Sequence, residues 1–214
     1  MMRPADARAA ADAGADAVGM ILHADARRRI DLNTAAAIVA ALPPYVMPVG
    51  VFVDAPPQTV TQTALTLGLT TVQLHGGETI DDVAACSPLK VIKAIKVDPQ
   101  AIRVLLDDWR DAVARGRCPN LVALLLETPV VGQSGGTGKT NDFLLIRALF
   151  DEHAFDGLPA IVVSGGLTPD NVGAVVELLH PYAVDVSSGI ESSTFGEKSA
   201  EKMRAFVANA SLPR

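Results

Sequence analysis

The sequence predicts an α/β fold of the (β/α)8 TIM-barrel type with its first strand missing from this chain. Three observations carry that expectation. Short apolar runs alternate with helical stretches from end to end, and the runs are rich in Val, Ile and Leu with few charges, as strands buried on both faces of a parallel sheet require. About seven strands are found against the eight that closure of such a barrel uses. The chain also opens on a helix rather than on a strand. An open doubly wound sheet shares the alternation, and the strand count favours the closed form.

Residues 4–13 read as the opening helix, with Pro4 suited to a first turn, Ala throughout and Gly14 as its stop. A strand at 17–22 and a loop at 23–29 precede a helix at 32–42, which the Pro43-Pro44 pair ends. The next strand is 47–53, followed by a helix at 57–67 stopped by Gly68, then a strand at 71–75 opening into Gly76-Gly77. A short helix at 79–85, a strand at 89–95, a helix at 99–115 and an apolar strand at 121–126 keep the rhythm. A glycine-rich loop at 131–140 leads to a helix at 142–150, and helices at 169–179 and 197–208 follow the last two strands. No linker or low-complexity tract divides the chain, so one barrel domain over residues 1–214 is expected.

A chain of 214 residues that is 49% hydrophobic and only 4% aromatic can bury one core in which small side chains let helices lie close to a sheet. Its net charge of -6, with no basic cluster longer than Arg27-Arg28-Arg29, argues against nucleic acid as a partner. Charges at Arg3, Asp6, Arg8 and Asp12 interrupt any signal peptide or membrane span at the N-terminus. Cys86 and Cys118 make neither a metal pattern nor a disulfide framework, which fits a reducing, cytoplasmic setting. No metal-ligand spacing occurs, and no cofactor is expected.

The strongest local signal is a pair of turns. Ile161-Val162-Val163-Ser164-Gly165-Gly166 and Val184-Asp185-Val186-Ser187-Ser188-Gly189 are apolar strands that end in Ser and Gly and open into helical patterns. Glycine allows close backbone approach, and a helix N-terminus behind it offers unpaired N–H groups and a positive dipole end. Gly165, Gly166, Ser188 and Gly189 are therefore candidate phosphate ligands, on the loops where barrels of this class commonly bind phosphate. A Walker A reading of Gly138-Lys139-Thr140 fails, because Gln133 stands where that motif needs Gly. A lid hinged at Gly135, Gly136 and Gly138 suits the 131–140 loop better. His75 ends a strand on the same rim, as a hydrogen bonder that orders a loop or as a catalyst.

Val51-Phe52-Val53, Val72-Gln73-Leu74-His75-Gly76, Gly135-Gly136-Thr137-Gly138-Lys139-Thr140, Ser164-Gly165-Gly166-Leu167 and Asp185-Val186-Ser187-Ser188-Gly189-Ile190-Glu191, met in this order, resemble the phosphoribosylanthranilate isomerases of tryptophan biosynthesis. The resemblance spans essentially the whole chain. It implies a barrel that takes a small phosphorylated substrate and converts N-(5'-phosphoribosyl)anthranilate to 1-(2-carboxyphenylamino)-1-deoxyribulose 5-phosphate by an acid/base Amadori rearrangement. That chemistry needs an acid to open the ribose ring and a base to take the C2 proton.

The resemblance places Glu127 at the family's catalytic acid, an Asp, with its carboxyl one C–C bond or about 1.5 Å further out. It places Arg28 against the anthranilate carboxylate and Asp185 in contact with substrate, although a carboxylate capping loop amides reads equally well for Asp185. The family's base is a Cys in a Lys-x-Cys-Gly motif on the first strand, a motif this sequence does not contain. Cys86 and Cys118 read as inert structural thiols. Two accounts follow: an upstream segment carries the strand and the base, or the chain is a degenerate barrel that binds a phosphorylated ligand without turnover. The unpaired edges a seven-stranded barrel would expose favour the first.

Overall fold

A computed structural model describes residues 1–128 and 142–211. The predicted lid at 131–140, with its glycines 135, 136 and 138, lies outside the described residues. The element order is α1 (Pro4–Asp12), β1 (Ala17–His23), α2 (Leu32–Ala41), β2 (Met47–Phe52), α3 (Pro57–Leu67), β3 (Thr71–Leu74), α4 (Ile80–Ala85), β4 (Lys90–Lys96), α5 (Ile102–Ala114), β5 (Leu121–Glu127), α6 (Asp142–Asp151), β6 (Ala160–Ser164), α7 (Val172–Leu179), β7 (Ala183–Val184) and α8 (Ala200–Ala210).

The helices start and stop for local reasons. Asp31 caps α2 by accepting the Thr34 N–H at 2.7 Å, and Thr79 and Asp82 form a reciprocal capping box on α4. The left-handed Gly68, at φ 67°, ends α3. Ser199 caps α8 by accepting the Lys202 N–H at 3.3 Å.

Among the described residues, seven strands pair in parallel, in the order β1-β2-β3-β4-β5-β6-β7. Alternation along them divides inside from outside. Ile21, Val51 and Gln73 stand side by side in register and face inward, and Glu127 at the end of β5 faces the same way. Leu74, Lys93, Leu124 and Ile161 form an outward row against the helices. Leu74 and Leu124 are almost wholly buried there, together with Phe52, Val91, Leu126 and Val163. Residues from β1, β2, β3, β5 and β6 line one cavity, so the sheet is curled into a partial barrel.

Among the described residues, β1 pairs only with β2, and β7 only with β6. The helix layer nevertheless continues past this seam, because α1 packs against both α2 and α8. The last strand corrects the sequence reading: it is two residues long, and the chain then leaves the ladder into a short 3-10 turn at Ser188–Ile190. The helix expected immediately behind Gly189 is that turn, and α8 begins only at Ala200. No described helix is long and apolar enough to cross a membrane.

Candidate active site

The curled sheet encloses a cavity of about 340 Å³ whose wall includes Arg28, Glu127, Gly165, Gly166, Asp185, Ser188 and Gly189. All seven residues singled out in the sequence thus converge, each delivered by the loop or strand end after β1, β5, β6 or β7. A second depression of about 310 Å³, between α5 and α6, is lined by side chains already paired with one another, Arg103 with Glu152 and Arg110 with Asp107, and holds none of them.

The twin turns are locked together by close backbone contact. Gly165 sits at φ 88°, and a β-carbon there would run into the backbone of Thr128. Gly189 lies against the Leu167 carbonyl, so a side chain at 189 would collide with the other turn. The Thr128 hydroxyl lies 3.2 Å from the Ser164 carbonyl and 2.9 Å from that of Gly165, further tying the first turn. The backbone N–H groups of Gly165, Gly166, Ser188 and Gly189 donate to no other described residue. Unpaired amides on a concave wall offer an anion the donors it needs.

Glu127 meets His75 across the mouth: Nε2 of the imidazole is 3.3 Å from Oε2 of the carboxylate. Gln73 Nε2 lies 2.6 Å from His75 Nδ1, so the glutamine amide braces the far side of the imidazole. The adjacent His75 holds the Glu127 carboxyl below its ordinary range, against burial, with Lys96 assisting. Asp185 behaves oppositely. Protein encloses it, which raises its carboxyl above the usual value, and the neighbouring Glu127 charge adds to the rise while His75 opposes it. Its side chain also opens to the solvent of the cavity, which tempers that effect. Among the described residues nothing donates to the Asp185 carboxylate, so it does not cap its own loop.

Arg28 is held from two sides. Its Nε and Nη2 donate to the two oxygens of Glu191 at 2.9 and 3.0 Å, and its guanidinium lies 4.7 Å from the centre of the Phe195 ring. Arg27 stacks on the same ring at 4.1 Å. Lys198 approaches Glu191 at 3.3 Å and donates to the Ser187 carbonyl at 2.7 Å. Arg28 first and Lys198 after it lower the Glu191 carboxyl, while burial lowers the Lys198 ammonium. Sequence reasoning missed Gln73, Glu191 as the partner of Arg28, and Lys198, since each acts through a neighbour distant in the chain.

The cysteines lie elsewhere. Cys86 and Cys118 are buried, at the end of α4 and just before β5 on the rim opposite the cavity. Burial raises both thiols, Cys86 to about 11, which makes them poor bases near neutrality. No group of three or more His, Cys, Asp or Glu side chains among the described residues is placed to hold a metal ion.

The chain has counterparts among known proteins. Residues 1–209 match the family model described as N-(5'phosphoribosyl)anthranilate (PRA) isomerase. The chain is 40% identical to the N-(5'-phosphoribosyl)anthranilate isomerase of Symbiobacterium thermophilum, over 96% of this chain and 92% of that one. It is 41% identical to the Pseudomonas aeruginosa enzyme of the same name, over 96% and 89%. The crystal structure of phosphoribosyl anthranilate isomerase from Thermotoga maritima superposes with a TM-score of 0.82 at 33% identity, covering 98% of this chain and 95% of that one. A phosphoribosyl anthranilate isomerase in complex with reduced 1-(o-carboxyphenylamino)-1-deoxyribulose 5-phosphate superposes at 0.79 and 30%, covering 98% and 94%. Matched over residues 1–209 by that family model and 40% identical to a named relative across nearly its full length, the chain belongs to the N-(5'-phosphoribosyl)anthranilate isomerase family.

Proposed function

We propose that this chain is the isomerase of tryptophan biosynthesis that converts N-(5'-phosphoribosyl)anthranilate to 1-(2-carboxyphenylamino)-1-deoxyribulose 5-phosphate. The observation that carries the reading is one cavity containing both an anion cradle of free amides and a carboxylic acid set against an imidazole. The amides of Gly165, Gly166, Ser188 and Gly189 take the phosphate. The guanidinium of Arg28, fixed by Glu191, takes the anthranilate carboxylate through its remaining donors. Asp185 contacts the sugar between them.

Glu127 gives its proton to the ribose ring oxygen, the C1–O bond breaks, and the nitrogen lone pair forms the Schiff base. Loss of the C2 proton to a base then gives the enolamine, which tautomerises to the ketone. Glu127 is ionised in the free protein, because His75 favours the carboxylate. Binding a dianionic phosphate and excluding water both favour its protonated form, so the acid is loaded as substrate enters.

The base belongs to an eighth strand. The unpaired edges of β1 and β7, with α1 continuing the helix layer outside them, support an upstream strand that would close a (β/α)8 barrel together with the single domain of residues 1–214. A residue on that strand would face Glu127 across the substrate. The degenerate-barrel alternative is not favoured, since identity to named isomerases runs over nearly the whole chain. Steady-state turnover of phosphoribosylanthranilate generated in situ tests the reading, using this chain and the same chain extended through the segment encoded upstream. Isomerisation by either form is expected, and background rates from both would sink the proposal.

A further inference from the structure

Lys93 is a charged residue in the outward row that otherwise consists of Leu74, Leu124 and Ile161, and it is only 4% exposed. Its partner Glu78, 7% exposed, lies 2.8 Å away. An apolar pair of similar volume would serve such a position at least as well for stability, since two ions lose their hydration there. The destination of their remaining hydrogen bonds separates this pair from a general core contact.

Those bonds go to the backbone on either side of His75 and to the neighbouring turn after β2. Lys93 Nζ donates to the carbonyls of Leu74, at 3.3 Å, and Gly76, at 2.7 Å, the two residues flanking the histidine. Glu78 accepts the N–H of Gly76 at 2.8 Å with one oxygen and that of Asp54, in the turn after β2, at 2.9 Å with the other. The Asp54 carboxylate accepts the Gly77 N–H at 2.7 Å, and Gly76 approaches Asp54 so closely that no side chain could stand there. The His75 N–H donates to the Phe52 carbonyl at 2.7 Å.

We propose that the buried Lys93–Glu78 pair is a positioning device that fixes the turn after β3 from behind and so aims the His75 imidazole at Glu127. Neither residue lines the cavity, and both act through His75. The inference rests on the isomerase reading for its kinetic consequence, while its geometric content stands on the network itself. The groups facing Glu127 are His75 after β3, Lys96 from β4 and Asp185 after β7, and the pair's hydrogen bonds reach the backbone on both sides of His75.

The test is the double variant Lys93→Met with Glu78→Gln, which removes both charges and leaves no buried ion unpaired, made in the catalytically active form of the chain. Its circular dichroism should match the parent. Its kcat should fall by about ten- to a hundred-fold, as expected when a catalytic group is misplaced by an ångström or less, with KM changed less than about three-fold. The 13C resonance of the Glu127 carboxyl should titrate at higher pH than in the parent, a change that a purely structural pair would not produce. An unchanged kcat with an unchanged Glu127 midpoint in a folded double variant overturns the proposal. A parent without turnover refutes the isomerase reading instead, and the Glu127 midpoint still decides the positioning role. If the double variant does not fold, the milder variants Lys93→Arg and Glu78→Asp, which keep both charges and displace them, decide: a lowered kcat with a raised Glu127 midpoint supports the device, and parental values of both overturn it.

Discussion

His75 Nε2 lies 3.3 Å from a carboxylate oxygen of Glu127, so the carboxylate proposed to act as an acid sits, in the free protein, beside a group that favours its ionised form. Replacing Glu127 by Gln keeps the size and removes the acid. The expected result is a loss of about 10²- to 10⁴-fold in kcat with little change in KM, read by steady-state turnover. Glu127→Asp should keep activity within about a hundred-fold of the parent, because it moves the carboxyl by one C–C bond without removing it.

The same contact sets a pH dependence. An acid must be protonated to act, so kcat/KM falls as pH rises through the free-protein value of Glu127, which His75 holds below the ordinary range. His75→Phe removes the donor and lets that value rise. The alkaline limb of the kcat/KM profile should then move to higher pH, even though the maximal rate is lower. A limb that stays in place would mean that a different group supplies the proton.

Arg28 and Glu191 are joined by two parallel hydrogen bonds, and Phe195 covers the guanidinium. Lysine has neither the planar fork nor the stacking face. Arg28→Lys should raise KM by about ten-fold or more with a smaller effect on kcat. The pair also has a consequence for stability. The folded-state value of Glu191 is depressed, so its contribution is fully present above the unfolded carboxylate value and is lost as pH falls through the lower folded one. Glu191→Gln should lower the melting temperature at neutral pH and flatten its decline at acid pH, measured by thermal denaturation at a series of pH values.

Much of the cavity was legible in the sequence because its parts are local. A strand ending in Ser-Gly-Gly is readable from a handful of neighbouring residues, and Gly165, Gly166, Ser188 and Gly189 line the predicted wall for that reason. What stayed hidden depends on distant pairing. Lys93 reads as one polar residue in an apolar strand until register sets it behind the turn after β3, and Glu191 reads as a loop carboxylate until the chain brings it to Arg28, 2.9 Å away. The length of β7 was overread because Val184-Asp185-Val186 has strand composition throughout. In space the ladder to β6 ends at Val184, and the next residues leave it for the cavity and the 3-10 turn.

Gly189 offers the most direct test of the phosphate cradle. Its α-carbon packs against the Leu167 carbonyl, so the two turns approach through backbone alone and any β-carbon must push them apart. Gly189→Ala should cost about 1–3 kcal/mol, the usual range for overpacking a tight contact, and lower the melting temperature accordingly. The functional effect should exceed the structural one. Because the four free amides must converge on one anion, separating the turns weakens all of them at once, and competitive inhibition by inorganic phosphate should weaken about ten-fold or more. Gly68→Ala serves as the comparison, since a β-carbon there meets open space and the strain at φ 67° is confined to the end of α3. It should lose a similar amount of stability while its inhibition constant for phosphate stays at the parental value. If both variants lose stability alike and neither loses phosphate affinity, the twin turns are a packing device and the phosphate is held elsewhere.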